Sequence, residues 1–364
     1  MTKKSISAHQ LGVISGILLL TLKMTSLPSL MYEYGQTGGI LNVIAFIGFD
    51  FLFLYLIILV KRIFPKTTLY EILKKYLGVF ITKLLYVIFF LFFIFKILSI
   101  MSDSFTFIKD VVDEDFSIVK VFICFLPVIS YLAFTGIRNI ARTSEFFFPA
   151  IIVCLVVISV FAFVPIDSWE LGDITRAGFG NFMESFFRLS FWTGDLFALL
   201  LFFDKIEIKK EETKKAFAPL VILSFFYLIG MFVYFLVYQQ TAIYHTNAIV
   251  DVLQYAVGAT NGWRMDIFSI ICYMLCVFIQ SAIFMFCASE SLKKLFNYKF
   301  SKVRIIFINI VLVVAEYLFL TDYLKYVVFA KNILCYFSTI TMFLIPLIMI
   351  IILIKGGRNE KKWL

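Results

Sequence analysis

Lys23, Lys96 and Arg188 stand inside stretches of sequence that are otherwise apolar enough to cross a lipid bilayer. An ionisable side chain there is costly, and usually faces a cavity, pairs with a second charge or marks a substrate path. Lys23 leads into Met24-Thr25-Ser26-Leu27-Pro28, where proline removes a backbone donor and clashes with the preceding turn. An ammonium and two hydroxyls therefore lie where the helix is weakest, ~20 Å along it, too deep for easy snorkelling. A second interruption reads Arg188-Leu-Ser190-Phe-Trp192-Thr193-Gly194-Asp195. Glycine leaves helical geometry cheaply, Asp195 falls near mid-membrane, and Arg188 is close enough to an end to reach water. Trp192 also lies near mid-membrane, suited either to a binding site or to buried packing.

The chemistry these residues suit is recognition. Lys23 and Asp195, facing each other across the two interruptions, either pair directly or hold the carboxylate and amine of a zwitterion such as an amino acid. Each needs a partner, because an isolated buried charge shifts its pKa and neutralises. As a fixed cation, Lys23 would stand in for a coupling ion and make binding ion-independent. Lys96, Ser99, Asp103, Thr106 and Asp110 share one helical face, read as a cavity lining because Lys96 and Asp103 both carry charge. Asp266, Ser269, Tyr273, Cys276 and Gln280 form a similar stripe, for which interhelical hydrogen bonds of ~0.6 kcal/mol each are the simpler account. Asp50, a lone carboxylate, either relays protons or pairs with a basic neighbour.

Catalysis and metal chemistry find little support. The two histidines, His9 and His245, have no Ser or Cys nucleophile beside them in sequence. The six cysteines (124, 154, 272, 276, 287 and 335) all fall in apolar stretches and read as small buried side chains. Cys272 and Cys276 are one helical turn apart, but no histidine is near, so neither a metal nor a cofactor is expected.

Ten spans must position these groups, near residues 9–32, 40–64, 82–108, 118–134, 146–165, 182–204, 218–240, 264–288, 303–320 and 327–354. Lys and Arg alternate between their loops: 24 lie in one set and six in the other, which predicts both termini inside. The net charge of +9 suits an anionic leaflet and gives no reason to invoke nucleic acid. The chain reads as a single transmembrane domain over residues 1–364. Its opening Met-Thr-Lys-Lys-Ser runs into a first span with no small-residue cleavage site, unlike a cleaved signal. Residues 66–78 predict a short helix on the inner face, capped by Thr68 and Glu71 and stopped by Gly78. Residues 247–257 predict an outer helix, either a lid or a surface element. Trp169 and Trp263 fall at outer boundaries, where indoles reside. Interruptions in spans one and six, five spans apart, predict an all-α inverted five-plus-five repeat, with halves near 9–165 and 182–354.

Several short motifs, in this order, resemble the spore germination permeases: Ile6-Ser7-Ala8-His9-Gln10, Leu27-Pro28, Ile63-Phe64-Pro65, Gly136-Ile137-Arg138-Asn139-Ile140-Ala141-Arg142 with Phe148-Pro149, Ser190-Phe191 through Asp195, and Trp263-Arg264-Met265-Asp266. The resemblance covers nearly the whole chain. It implies the amino acid–polyamine–organocation superfamily and its inverted-repeat fold. It also implies the B subunit of a nutrient germinant receptor in the spore inner membrane, sensing a small nutrient, often an amino acid, with an A subunit and a lipoprotein C subunit. Asp195 falls where relatives carry an acidic residue, and Arg264 with Asp266 matches an Arg-x-acid element. Lys23 departs from the small residues that relatives carry before Leu-Pro, so the ligand differs from a plain amino acid or Lys23 itself holds its carboxylate. The proposed ligand contacts are Lys23, Met24, Thr25, Ser26, Lys96, Ser99, Trp192, Thr193, Gly194 and Asp195. Gating or structural charges are Asp50, Asp103, Arg188, Arg264 and Asp266. A proton-coupled amino-acid transporter is the alternative. Replacing Lys23 by Ala and Asp195 by Asn is expected to weaken ligand binding in each; unchanged affinity in both eliminates the zwitterion reading.

Overall fold

Ser7 opens the first helix with a capping box: its Oγ accepts from Gln10 N at 3.3 Å, and Gln10 Oε1 accepts from Ser7 N at 3.1 Å. The helix so capped, α1 (Ala8–Leu20), is apolar and is buried on every side beyond its first turn. An all-round apolar helix belongs at the centre of a bundle, and α1 occupies that place in the computed structural model. The structure describes residues 5–65, 67–112, 115, 117–163, 178–259, 266–297, 300–319 and 323–360.

After α1 come α2 (Leu27–Gly35), α3 (Gly39–Ile63), α4 (Leu69–Val111), α5 (Ile118–Thr135) and α6 (Ile137–Ala162). Then follow α7 (Gly178–Arg188), α8 (Ala198–Leu201), α9 (Thr213–Tyr238) and α10 (Ala248–Ala259). The chain ends with α11 (Asp266–Phe296), α12 (Ser301–Phe319), α13 (Tyr323–Phe329) and α14 (Cys335–Glu360). Taking α1 with α2, α7 with α8 and α13 with α14 as broken helices, and setting the short α10 aside, leaves ten spans among the described residues. Among the described residues, six helical segments are long and apolar enough to cross a membrane. Spans one and six fall short piecewise because each is interrupted. Large apolar side chains left exposed on α5 (Val119, Ile123), α12 (Ile306, Ile310) and α14 (Ile340, Leu347) present the surface a lipid-embedded bundle needs.

Close approach at the centre depends on small residues. Gly12 and Gly16 of α1 face α9, and a Cβ added at Gly12 would collide with the Ala216 carbonyl. Small residues four apart let membrane helices pack backbone to backbone where no hydrophobic effect drives them together.

The helix predicted over 66–78 forms from Leu69, with Lys66 outside the described residues. Thr68 N donates to Glu71 Oε2 at 2.9 Å and Glu71 N to Thr68 Oγ1 at 3.3 Å. The amide at Thr68 holds the Glu71 carboxyl below its ordinary range. Leu69, Ile72 and Leu73 are buried while Lys74 and Lys75 are exposed. Gly78, at φ +82° and ψ 171°, breaks the helical geometry before the third span continues in the same element.

The predicted outer helix is α10. It packs on α6, α9 and α11, so it is integrated with the spans, and its start is tied down. Asn247 Nδ2 donates to Asp110 Oδ2 at 3.0 Å, and His245 Nδ1 lies 3.5 Å from Asp251 Oδ2. Burial pushes the Asp251 carboxyl up, against the pull of His245. Trp169, Trp263 and the junction expected between the two halves lie outside the described residues.

Gly12→Val is expected to destabilise the protein by roughly 2 kcal/mol or more through overpacking, read as a lower unfolding temperature in detergent. Gly230→Ala on α9, where a Cβ meets nothing within 4 Å, is expected to leave that temperature unchanged or raise it.

Candidate functional site between the broken helices

Past Leu20 the first span tightens into a 3₁₀ turn at Thr21–Lys23, with Met24 N donating to Thr21 O at 3.3 Å. Helix resumes at Leu27, and Pro28 sits in its first turn, where a missing N–H costs nothing. Lys23, Met24, Thr25 and Ser26 are all buried at this break. The sixth span opens further. After α7 come a 3₁₀ turn (Ser190–Trp192), extended Thr193, left-handed Gly194 at φ +75°, and a second turn (Asp195–Phe197) before α8. This path strands main-chain carbonyls in mid-span, and hydrocarbon offers them no partner.

Lys96 of α4 supplies it. Its Nζ donates to the carbonyls of Phe191 and Thr193, the latter at 3.1 Å, and lies 2.5 Å from Asp195 Oδ1. Gln280 Nε2 of α11 donates to the other oxygen, Asp195 Oδ2, at 3.1 Å. Lys23 Nζ donates to Asp50 Oδ2 of α3, also at 3.1 Å. Two ion pairs result, with all four charged side chains at most 4% exposed.

The direct Lys23–Asp195 pair, one of the two arrangements the sequence left open, is therefore not formed. Both residues are buried, but each has a closer partner on a neighbouring helix. Asp50, left between relay and pairing, is paired. Lys96, expected to line a cavity, is instead fully buried against the sixth-span break.

Asp50 and Gly194 share a pocket of about 10 Å³ with Phe49, Phe53, Phe197 and Met342, room for about one water molecule. Around the charges, Ser26 Oγ, Trp192 Nε1, Gln280 Oε1 and Tyr227 OH are buried without a hydrogen-bond partner among the described residues. Burying such a group unpaired costs roughly 1–3 kcal/mol, so these atoms are the ones a polar ligand would satisfy most profitably.

The remaining candidates spread along the spans. Ser99 and Asp103 are buried on the Lys96 face of α4, and Asp110 ends that face at its bond to Asn247. Asp266 is buried in the first turn of α11, while Arg264 lies outside the described residues. Arg188 stays out of the midplane cluster. Its Nε lies 2.8 Å from Glu184 Oε1, and NH1 donates to Asn332 Oδ1 at 3.1 Å.

Two contributions escaped sequence reasoning. Tyr227 of α9 places its ring centroid 6.0 Å from Lys23 Nζ; one tyrosine in an apolar span carries no signal of that. The tenth span holds a π-helical turn at Ala330–Leu334 beside the sixth-span break. Ser190 Oγ meets Thr339 Oγ1 at 2.7 Å and Cys335 O at 2.9 Å, and Ser338 Oγ donates to Ser190 O at 2.9 Å. The hydroxyls of Ser338, Thr339 and Thr341 in an otherwise apolar run were the available clue.

Spans one and six, each broken and with charge gathered at both breaks, define an all-helical polytopic membrane protein of the inverted five-plus-five fold. One solved structure sharing this fold is a substrate-bound, outward-open sodium-coupled sialic acid symporter. It is 17% identical, with a TM-score of 0.63 over 93% of this chain and 79% of that one. No curated protein matches the chain. Residues 5–324 match the family model described as spore germination protein, and the chain belongs to that family.

Removing one member of a buried ion pair strands the other, at about 3–5 kcal/mol. Asp50→Asn and Lys96→Met are each expected to lower the unfolding temperature in detergent. Double-mutant cycles are expected to show strong coupling for Lys23 with Asp50 and for Lys96 with Asp195. Weaker coupling is expected for Lys23 with Asp195.

Proposed function

We propose that this chain is the integral-membrane B subunit of a spore nutrient germinant receptor. It would bind a small nutrient, an amino acid being the favoured class, between the two broken helices, and signal through an A subunit and a lipoprotein C subunit. In this reading the chain lies in the spore inner membrane with both termini on the core side, as the distribution of Lys and Arg favours. The observation that carries it is the pair of buried, mutually neutralised charges at the breaks of spans one and six, in a chain that belongs to the spore germination protein family.

The internal pairs suggest how a ligand would act. A zwitterion offers a carboxylate to Lys23 in place of Asp50, and an ammonium to Asp195 in place of Lys96. Trading partners costs little net charge separation, yet it loosens the contacts that join span one to span two and span three to span six. A ligand shifts a conformational equilibrium only as far as it binds one state better than the other, and such an exchange supplies that difference. Met24, Thr25, Ser26, Ser99, Trp192, Thr193 and Gly194 would line the remainder of the site. Asp103, Asp266 and Arg264 would serve as structural charges along the way in. Transport with protons is the second reading, favoured by the shared fold of a sodium-coupled symporter.

Spores carrying Asp195→Asn or Lys23→Ala are expected to lose most of their germination response to the nutrient that this receptor recognises, while germinating normally through other receptors. Purified protein in proteoliposomes is expected to bind a labelled amino acid without accumulating it. Concentrative uptake by the isolated chain would overturn the receptor reading in favour of transport.

A further inference from the structure

Around Lys96 Nζ the structure assembles the donor set of an alkali-metal site. Two of its oxygens are main-chain carbonyls, Phe191 O and Thr193 O, freed by the unwinding of span six; the third belongs to the Asp195 carboxylate. Unwound carbonyls with one carboxylate are hard oxygen ligands carrying a single net negative charge, the combination that holds a monovalent cation in broken-helix proteins. Gln280 Nε2 fixes the free edge of the carboxylate. The rings of Phe92 and Phe191 stand 5.4 and 5.0 Å from the nitrogen, adding cation–π attraction.

We propose that the Lys96 ammonium is a tethered cation filling a monovalent-ion seat formed by Phe191 O, Thr193 O and the Asp195 carboxylate. The site is thereby complete without a dissociable coupling ion. Two N–H donors meet the two carbonyls, and the ammonium charge is balanced by the Asp195 carboxylate in an ion pair at 2.5 Å. Its side chain is 0% exposed. Arriving from α4 on its own tether, it competes against any dissolved ion at a high effective concentration. This assignment moves the ion-replacing role from Lys23, whose partner is a single carboxylate, to Lys96. It does not depend on the identity of the nutrient or on whether the chain senses or transports.

Removing the amine should turn the seat into a true ion site. Purified wild-type protein, Lys96→Ala and Lys96→Ser would be unfolded thermally in the chlorides of lithium, sodium, potassium and N-methyl-D-glucamine at constant ionic strength. The wild type is expected to unfold at one temperature in all four. Either variant is expected to gain about 3 °C or more, saturably, in at least one alkali cation relative to the organic one. The gain should vanish in Lys96→Ala/Asp195→Asn. A saturable alkali-cation response in the wild type overturns the proposal. So does failure of both Lys96 variants to respond to any cation, or to fold in any of the four salts, since an ion of the right size should then occupy the same three oxygens.

Discussion

A helix that unwinds inside hydrocarbon exposes carbonyls and amides that water cannot reach, and each left alone costs several kcal/mol. The architecture of this protein follows from meeting that demand. Span six abandons helical geometry from Leu189 to Phe197, and the cost falls on two identifiable carbonyls. Lys96 answers both, and its own charge is answered by Asp195, which the same unwinding brings into reach. Helix break, lysine and carboxylate are interdependent: any one without the other two would be an uncompensated polar group in lipid. The Lys23–Asp50 pair repeats the logic more simply at the first break.

Rigid elements hold this arrangement from three sides. Gly12 and Gly16 allow α1 to approach α9 closely, which fixes the depth and rotation of the first break. Span ten grips the sixth break through Ser190, Ser338 and Thr339, at a point where a π turn widens the helix. A π turn inserts one residue and re-aims the side chains beyond it; here it sits directly before the hydroxyls that hold the break. At the far end of α4, Asp110 holds the start of α10 through Asn247. The polar face that starts at Lys96 therefore links the buried ion pairs to α10 through one continuous element. A ligand that disturbed Lys96 would act on a helix tied at both ends.

Buried ion pairs contribute little net stability compared with apolar packing, yet losing one member is severe. They therefore define one arrangement sharply and make it sensitive to a competing charge. In the proposed function, that sensitivity is what would let a small polar molecule be exchanged for internal contacts.

Burial was legible in the sequence, and direction was not. Apolar runs, loop charge and the Leu27-Pro28 and Gly194 interruptions located ten spans, two breaks and every charge of the midplane cluster, because hydropathy and helix-breaking are local properties. The capping box at Thr68–Glu71 and the stop at Gly78 were readable for the same reason. Which charge met which was a different matter. Lys23 and Asp195 are both buried beside helix breaks, but side-chain pairing depends on helix rotation, crossing geometry and competing partners several spans away. Asp50 and Lys96 won those contests. Tyr227, Gln280 and the tenth-span hydroxyls joined the site only because tertiary packing turned their faces toward it.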